Sequence, residues 1–504
     1  MELFLAGLAN IFYPKMLLLI WGGTFLGIVV GALPGLSATM GVAILLPVTF
    51  YLPPDQGICL LLGIYTGGIY GGSISAILLN IPGCPASLMT TLDGYPMSSK
   101  GEGGRAIGLA TTCSFLGGMF GVLALILFGP VLAGAALGFG PPEYAMLAFF
   151  GLSAIVVVAA RSIVKGFIGV MIGLLMATVG MDPVVSVLRF TYGSIELMSG
   201  IGYIPVVIGL FGLTEVITQA LDLTARETIK QKVGRVVPSL SDFKIILRNM
   251  FHPTWIGILI GALPGAGGSI ASIISYNRAV QASKEPERFG TGIPEGIISC
   301  ETANNASIGG AMVPLLSLGI PGSSVAAVLL GAMMMHNILP GPMLFVQNGE
   351  LVHTLFAGMA MANVAMLILG LAAAKVSPKI VNLPKSALLP TITVLCAVGA
   401  YAINNSLFDV GIMLVCGVAG FFLKEFGISA GPIILGLILG PIAEENFRGA
   451  LEISGGNLSI FITKPISLTI LILTLALLVL PFMKKWYLSR KINIAKKISD
   501  VRSS

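Results

Sequence analysis

The sequence predicts an all-α polytopic membrane protein made of two inverted structural repeats. The first observation behind this prediction is composition: of 504 residues, 56% are hydrophobic and 10% charged, and the mean hydropathy is +0.97. Soluble domains carry roughly 25% charged residues, so most of this chain cannot face water. The second observation is a series of long apolar runs that fit helices crossing a hydrocarbon core about 30 Å thick.

The third observation is a segment that occurs twice. Gly27–Gly35 reads GIVVGALPG and Gly257–Gly265 reads GILIGALPG, with seven of nine positions identical. Farther along each half, Ile-Pro-Gly occurs at 81–83 and again at 320–322. Proline removes a backbone donor and glycine relaxes the dihedral angles, so each Pro-Gly pair is expected to end a helix. The sequence therefore predicts two copies with Pro-Gly-broken helices or re-entrant hairpins, and about ten to fourteen membrane segments in total.

Charge separates the copies. The first copy is predicted at 1–221, a basic linker at 222–252, the second copy at 253–483 and a basic tail at 484–504. Positively charged segments stay in the cytoplasm, so the linker and the C terminus are expected there. The first copy starts from a nearly uncharged N terminus and the second from the basic linker, which favours opposite orientations in the membrane.

Within the first copy, apolar segments flank the break at Pro34-Gly35 and continue to the second break, and four or five spans then follow at 106–220. In the second copy, a charged loop containing Arg278 and Arg288 lies between the breaks. The remaining spans of this copy are expected at 355–373, 387–402, 409–423, 429–440 and 466–482.

Matching breaks in both copies are typical of helices that line a polar cavity in a transporter. Inside a bilayer, backbone groups freed by a break are costly unless something satisfies them. The breaks open helix N termini, whose N–H groups hold an anion without a lysine or arginine. The alternatives are kinked packing helices or tight surface turns and, for an individual serine, a hydrogen bond to its own backbone.

Glu301, Asn304 and Asn305 are spaced three and four residues apart, which predicts one helical face. A carboxylate within a membrane predicts a proton or cation site; the alternative is an interfacial glutamate below the charged loop. No H-E-x-x-H, G-x-S-x-G or P-loop motif occurs, and histidines and cysteines show no metal spacing. We therefore expect no enzyme, no cofactor and no tightly bound metal. Nucleic acid is not expected, because the basic residues lack interleaved aromatics.

Several stretches carry a specific resemblance. In the first half they are GALPGLSATM (31–40), YGGSISAILLNIPGCPAS (70–87), DGYPM (93–97) and KGEGGRA (100–106). In the second half they are GALPGAG (261–267), ETANNASIGG (301–310), LGIPGSS (318–324) and LPGPMLF (339–345). In this order they resemble the TctA-type large membrane subunit of the tripartite tricarboxylate transporter family, over nearly the whole chain.

The resemblance implies a transporter of the bacterial cytoplasmic (inner) membrane that imports organic di- or tricarboxylates by symport with Na⁺ or H⁺. It implies two partners, a small membrane subunit and a periplasmic (extracytoplasmic) substrate-binding protein. A self-sufficient carboxylate permease or exchanger, a gated channel and a homo-oligomer are left open. Cys84 follows Ile-Pro-Gly where members commonly carry a small hydroxyl residue, as Ser323 does, and this departure is expected to affect substrate preference.

The predicted site residues lie at or beside the breaks, where the family's motifs map. Those predicted to bind substrate in the first copy are Pro34, Gly35, Ser37, Thr39, Ser73, Ser75, Asn80, Pro82 and Gly83. Those in the second copy are Pro264, Gly265, Asn304, Asn305, Pro321, Gly322, Ser323 and Ser324. The residues predicted to hold the coupling ion are Thr66, Glu301, Asn304 and Ser307.

Overall fold

The computed structural model describes residues 2–158, 162–221, 234–374 and 385–479. Across these ranges the chain is helical apart from its connections and one antiparallel ribbon, in which Gly180–Met181 pairs with Leu188–Arg189. Seven of the described helices are long and apolar enough to cross a membrane, and five shorter apolar helices accompany them. The all-α polytopic class is confirmed, while the number of crossings and the inversion of the repeats stay predictions.

The chain divides into two compact units, Met1–Gly138 with Ile201–Phe426, and Phe139–Gly200 with Gly427–Ser504. The first six helices of the first unit are α1 (Glu2–Ile11), α2 (Pro14–Ala32), α3 (Ala38–Thr49), α4 (Pro54–Leu79), α5 (Thr90–Met97) and α6 (Gly103–Ala136). Two helices of the second unit follow, α7 (Pro141–Val158) and α8 (Ile163–Ala177). The chain then returns to the first unit with α9 (Tyr203–Val207), α10 (Thr214–Leu221), α11 (Leu240–Asn249), α12 (Phe251–Gly261), α13 (Gly267–Ala282), α14 (Pro294–Leu318), α15 (Ser324–Met335), α16 (Pro342–Gln347), α17 (Gly349–Ala373), α18 (Lys385–Asn404) and α19 (Leu407–Glu425).

The second unit ends with α20 (Ala430–Ile453), α21 (Ile460–Thr463) and α22 (Pro465–Val479). In this unit α8 packs so closely on α20 that a β-carbon built on Gly173 would lie 2.0 Å from the Ile433 carbonyl oxygen. An ion-pair cluster at one end of α20 joins Arg189 to Glu444 at 2.7 Å and Arg448 to Asp182 at 2.7 Å. A mostly apolar cavity of about 250 Å³ beside it belongs to this unit alone, whereas every predicted break lies in the first unit.

The long central helices α4 and α14 begin and end alike. Each has proline among its first residues, where the missing N–H costs no hydrogen bond. Each ends at a residue in the left-handed conformation, Asn80 with φ 58° and Gly319 with φ 73°. Asparagine and glycine adopt this conformation at least cost. The second Pro-Gly break of each copy therefore follows a helix end that its own sequence specifies.

All four Pro-Gly segments interrupt helices as predicted. The first break of each copy separates α2 from α3 and α12 from α13, and the second follows α4 and α14. The short helices α3 and α15 contain 12 residues each, fewer than the roughly 20 that cross a bilayer. They therefore extend only part of the way through a membrane.

The structure describes part of the predicted linker and none of the predicted tail. Residues 222–233 and the whole tail 484–504 lie outside the described residues. The described part of the linker forms α11, which begins with a reciprocal cap between Ser239 and Asp242. Asp242 also pairs with Arg105 at 2.6 Å, which fixes α11 to the start of α6. The cytoplasmic placement of both segments and the repeat boundaries at 221 and 253 stay predictions, because packing units do not test sequence repeats.

Candidate functional site

The two breaks of each copy meet through glycine. The Gly83 N–H donates to the Gly72 carbonyl at 3.2 Å, and a β-carbon on Gly83 would lie 2.1 Å from the Gly31 carbonyl oxygen. In the second copy, a β-carbon on Gly322 would lie 2.2 Å from the Gly261 carbonyl oxygen. Only glycine allows this approach. The repeated GALPG and Ile-Pro-Gly segments are therefore packing partners of each other in both halves.

The helices that carry these breaks repeat the same packing. A β-carbon on Gly27 would lie 2.4 Å from the carbonyl oxygen of Ile64, and one on Gly257 would lie 2.3 Å from that of Ala303. Ile64 and Ala303 hold the same position when counted back from the Ile-Pro-Gly of their own copy. The α2–α4 and α12–α14 pairs thus share one local architecture, and the sequence repeat is also a repeat of packing.

Two predicted serines cap helices. The Ser37 Oγ accepts the N–H of Met40 at 3.2 Å at the start of α3, and the Ser323 Oγ accepts that of Ala326 at 3.2 Å at the start of α15. Each cap satisfies one of the four unpaired N–H groups at a helix start. At α3 and α15 a serine hydroxyl therefore takes one of the N–H groups that the break opens. No side chain caps α13, which begins at Gly267.

Cys84 occupies the position in the first copy that corresponds to Ser323. Its N–H donates to the Ser87 Oγ at 3.4 Å, and the Ser87 Oγ donates to the Cys84 carbonyl at 2.9 Å, so the serine closes a single turn. All six cysteines, which the described ranges include, are buried and free. In the first copy Ser87 therefore closes the turn, and a thiol occupies the position where the second copy has the Ser323 hydroxyl.

Segments from the two copies come together where these breaks meet. The Tyr65 and Ser323 hydroxyls are hydrogen-bonded at 3.0 Å, and the Ser272 Oγ donates to the Ala86 carbonyl at 2.9 Å. At the start of α13, a β-carbon on Gly268 would lie 2.2 Å from the Asn304 Oδ1. The site therefore contains the uncapped start of α13, the capped start of α15, and the turn after the Ile-Pro-Gly of the first copy.

Several buried polar atoms of α4 and α14 are left without partners. Within the described residues, Thr66 Oγ1, Asn305 Oδ1 and both amide atoms of Asn304 form no hydrogen bond, although all three side chains are 0% exposed. Each such atom costs about 1–3 kcal/mol when nothing satisfies it. Thr66 and Asn305 hold the same position in their copies when counted from Ile-Pro-Gly. Of these atoms, the Asn304 amide lies against the start of α13, and there a ligand, an ion or water can complete the bonding.

Glu301 lies on another side of α14 from Asn304. The Thr90 hydroxyl donates a short hydrogen bond to one oxygen of the fully buried carboxylate, and the Ser114 hydroxyl donates to the other at 3.1 Å. The Asn305 Nδ2 donates to the Ser114 Oγ at 2.8 Å. The predicted face is therefore divided: Glu301 and Asn305 contact α6, whereas Asn304 contacts the start of α13.

The other predicted residues are spread over this region. Ser73 lies beside the Glu301 carboxylate, the Ser75 hydroxyl donates to the Gly72 carbonyl at 3.2 Å, and the Ser307 hydroxyl donates to the Asn304 carbonyl at 2.6 Å. The local serine bonds match the alternative of self-bonded hydroxyls. The prolines and glycines form the breaks themselves. Pro34, Pro264, Pro321 and Gly322 are buried, and Pro82 and Gly265 are half-buried. Thr39 and Ser324 are also half-buried. Asn80 and Gly35 are exposed, and the structure does not bring them to the unpaired atoms.

Sequence reasoning missed four contributors. Thr90 and Ser114 bind the Glu301 carboxylate, and Tyr65 is hydrogen-bonded to Ser323. Asp93, buried in α5, binds a loop of the second copy. Their partners are roughly two hundred residues away along the chain, so no local pattern marks them. Asp93 had a signal, since it is a charged residue within DGYPM, one of the stretches that carry the family resemblance.

Paired broken helices around buried, unpaired polar groups, in a chain of many apolar helices, define a multi-pass membrane protein of the transporter class. The chain belongs to the tripartite tricarboxylate transporter TctA family, whose model matches residues 17–435. Of the described residues, no group of three or more His, Cys, Asp or Glu could hold a metal.

Two relatives come from Agrobacterium vitis. One, described as an uncharacterized 52.8 kDa protein in TAR-I ttuC' 3'region, is 39% identical over 458 residues, which cover 91% of each chain. The other, an uncharacterized protein in TAR-II ttuC' 3'region, is 38% identical over 224 residues, which cover 44% of this chain and 93% of that relative. No solved structure matches the chain.

Proposed function

We propose that this chain is the transport subunit of a binding-protein-dependent secondary transporter, importing organic di- or tricarboxylates by symport with Na⁺ or H⁺. The observation that carries the proposal is the pair of amide atoms of Asn304, unpaired and buried against the start of α13, where helix interruptions of both copies converge. A solid packing element has no reason to leave them unsatisfied. A transport site does, because its ligand supplies the missing bonds.

The substrate carboxylate binds at the start of α13 in this proposal. This helix has 16 residues and no side-chain cap, so its first N–H groups and its dipole favour an anion. The Asn304 amide lies against Gly268 in the first turn and supplies a further donor. Recognition by N–H groups and an amide needs no lysine or arginine.

The coupling ion binds at Glu301. Its carboxylate is fully buried, and its hydrogen-bonding partners are hydroxyls rather than a lysine or arginine. A buried carboxylate without a positive partner is costly unless it binds a proton or a cation. Asn305 directly follows Asn304 in α14, and its amide donates to Ser114, which also binds the Glu301 carboxylate. Loading of Glu301 and of the substrate position would thus be coupled through adjacent residues of α14.

The proposed assembly contains a small membrane subunit and an extracytoplasmic substrate-binding protein that delivers the carboxylate. The chain lies in the bacterial inner membrane with its C terminus in the cytoplasm, surrounded by lipid. The two copies are inverted relative to each other and expose the site alternately to each side. Support comes from the family's tripartite organisation and from the packing that both copies share.

The test is uptake of radiolabelled citrate and malate, as tri- and dicarboxylate probes, into proteoliposomes with an imposed Na⁺ or pH gradient. Asn304→Ala and Glu301→Gln are compared with Asn457→Ala, an exposed asparagine of the second unit. We expect Asn304→Ala to raise the concentration for half-maximal uptake and Glu301→Gln to abolish gradient-driven accumulation. Unchanged uptake in both variants would refute the assigned site.

The same preparation separates the alternatives. Full uptake by the chain alone would identify a self-sufficient permease or exchanger, and dependence on added binding protein and small subunit would support the tripartite reading. Flux that does not saturate and ignores both gradients would identify a channel.

A further inference from the structure

Asp93 is a buried carboxylate in α5 that binds a loop of the other copy. Its Oδ1 accepts the backbone N–H groups of Gly290, Gly292 and Ile293 at 3.0, 2.8 and 3.0 Å. Its Oδ2 accepts the hydroxyl of Tyr276 at 2.8 Å. The side chain is 0% exposed. Four donors on one carboxylate make this a specific contact between the two copies.

The loop is shaped for this carboxylate. Gly290 and Gly292 have φ of 84° and 94°, a left-handed conformation that turns successive N–H groups to one side. Just inside α14, a β-carbon on Gly296 would lie 2.0 Å from the Asp93 Oδ2. Ile293 directly precedes α14, so Asp93 also lies at the positive end of that helix.

The same face of α5 makes a second contact with α14. Thr90, three residues before Asp93 and therefore on the same side of the helix, donates its hydrogen bond to Glu301. The Thr90 hydroxyl also lies 3.4 Å from the Cys300 Sγ. One helical face of α5 thus holds α14 at two levels, at its start through Asp93 and two turns farther on through Thr90.

We propose that Asp93 is a positioning residue for Glu301: by fixing α5 to the start of α14, it holds the Thr90 hydroxyl on the coupling carboxylate. The inference rests on the proposed role of Glu301 in ion coupling. Asp93 does not touch Glu301; it acts through Thr90. In the first copy, the position corresponding to Glu301 is Leu62, so this arrangement serves one carboxylate only.

The titratable groups around Glu301 are one carboxylate and four weaker acids. The carboxylate is Asp93 in α5; the others are Tyr70 in α4, Cys113 in α6, Cys300 in α14 and Cys84 in the turn after the first Ile-Pro-Gly. Thiols and phenols ionise only above about pH 8 even in water. Citrate titrates alike with every variant, so a difference in the pH profile of proton-driven uptake between the Thr90 variants and the unmodified chain reports on the donors that stabilise the charged form of Glu301.

The experiment measures the pH profile of proton-driven citrate uptake in membrane vesicles containing the full chain with its partner subunits. Removing the Thr90 hydroxyl disfavours the ionised carboxylate, so Thr90→Val is expected to move the profile to higher pH by about one unit. Asp93→Ala is expected to move it in the same direction by a similar amount. The double variant is expected to move the profile no further, because both changes remove the same hydrogen bond, from Thr90 to Glu301.

Conservative variants and a control complete the set. Thr90→Ser keeps the donor, and Asp93→Asn keeps an oxygen for the three N–H groups, so both are expected to return the profile towards that of the unmodified chain. Glu287→Gln, an exposed carboxylate of the same loop, is expected to leave it unchanged. If Asp93→Ala fails to reach the membrane, Asp93→Asn and Tyr276→Phe decide the question, with a smaller shift in the same direction expected for each.

Two outcomes overturn the inference and can be told apart. If Asp93→Ala lowers uptake equally at every pH, or if its shift adds to that of Thr90→Val, Asp93 has only a structural or a separate electrostatic role. If Glu301→Gln itself still shows proton-coupled uptake with an unchanged pH profile, the coupling role of Glu301 fails, and the positioning role fails with it.

Discussion

Replacing Gly268 with alanine tests the substrate position without breaking the fold. The added β-carbon would lie 2.2 Å from the Asn304 Oδ1, 3.1 Å from the Ser307 Oγ and 3.4 Å from the Ala86 Cβ. The closest of these atoms ends a side chain that forms no hydrogen bond within the described residues. Asn304 can therefore rotate away, at a cost of about 0.5–1.5 kcal/mol for an unfavourable rotamer.

The effect on stability is therefore small and the effect on uptake large. Glycine to alanine within a helix gains about 0.5–1 kcal/mol, which offsets most of the rotamer cost. A lost hydrogen bond to a charged ligand costs about 1.5–3 kcal/mol, and every 1.4 kcal/mol is about tenfold in affinity. We expect the concentration for half-maximal citrate uptake to rise at least about tenfold, with a nearly unchanged Tm.

Two other glycines provide matched controls. At Gly261 the added β-carbon would lie 2.4 Å from the Ser307 carbonyl oxygen, a backbone atom that cannot rotate away. Gly261→Ala therefore pushes α12 away from α14 and is expected to cost about 1–3 kcal/mol of stability. At Gly22, inside α2, nothing lies within 4 Å, so Gly22→Ala is expected to raise stability by about 0.5–1 kcal/mol and to leave uptake unchanged.

The assay follows unfolding in detergent with a thiol-reactive fluorophore, which suits a chain whose six cysteines are buried and free. Uptake of labelled citrate is measured on the same preparations. A fall in Tm for Gly268→Ala as large as that for Gly261→Ala would refute the claim that Asn304 can move. Unchanged uptake would refute the substrate position at the start of α13.

Three further predictions concern the framework. Burial raises the pKa of Asp242, but hydrogen bonds from Arg105 and Ser239 outweigh it, so the pKa is lowered. The stability that the ionised Asp242 contributes is present above about pH 4, the unfolded pKa, and is lost as pH falls through the folded pKa. Tm should therefore fall on acidification more in the unmodified chain than in Asp242→Asn. Gly319→Ala places a side chain at φ 73° and should cost about 1–2 kcal/mol, whereas Asn80→Gly, at the corresponding end of α4, should change Tm little. Cys84→Ser places a hydroxyl at the position that corresponds to Ser323 and should raise stability by up to about 1 kcal/mol. It should also change the ratio of citrate to malate uptake; an unchanged ratio would show that Cys84 does not affect substrate preference.

The sequence was sufficient for features that depend on local chemistry. Proline and glycine set backbone geometry by themselves, so the four breaks, the starts of α4 and α14 and their left-handed ends follow from a few residues each. The packing of Gly31 on Gly83 was not predicted, because a recurring motif does not say which segments touch. For the serines after a break, the sequence left two roles open, and the structure shows Ser37 and Ser323 as helix caps.

What could not be predicted depends on contacts between distant segments. Glu301 was identified, but its donors Thr90 and Ser114 come from helices of the first copy, and neither lies in a pattern that marks a site. The split between Asn304 and Asn305 depends on which neighbour each side of α14 meets. The second compact unit likewise combines Phe139–Gly200 with Gly427–Ser504, segments that no shared motif connects.

The copies preserve backbone contacts and differ in polar side chains, and this difference locates the chemistry. Gly71 and Gly310 approach the carbonyl oxygens of Ile28 and Ile258, at 2.5 and 2.3 Å from an added β-carbon, so packing is the same in both halves. Yet the positions of Tyr65 and Thr66 in α4 are taken in α14 by Asn304 and Asn305, and that of Leu62 by Glu301. In the proposed function the duplicated scaffold therefore carries one carboxylate, Glu301, as the coupling position for both halves.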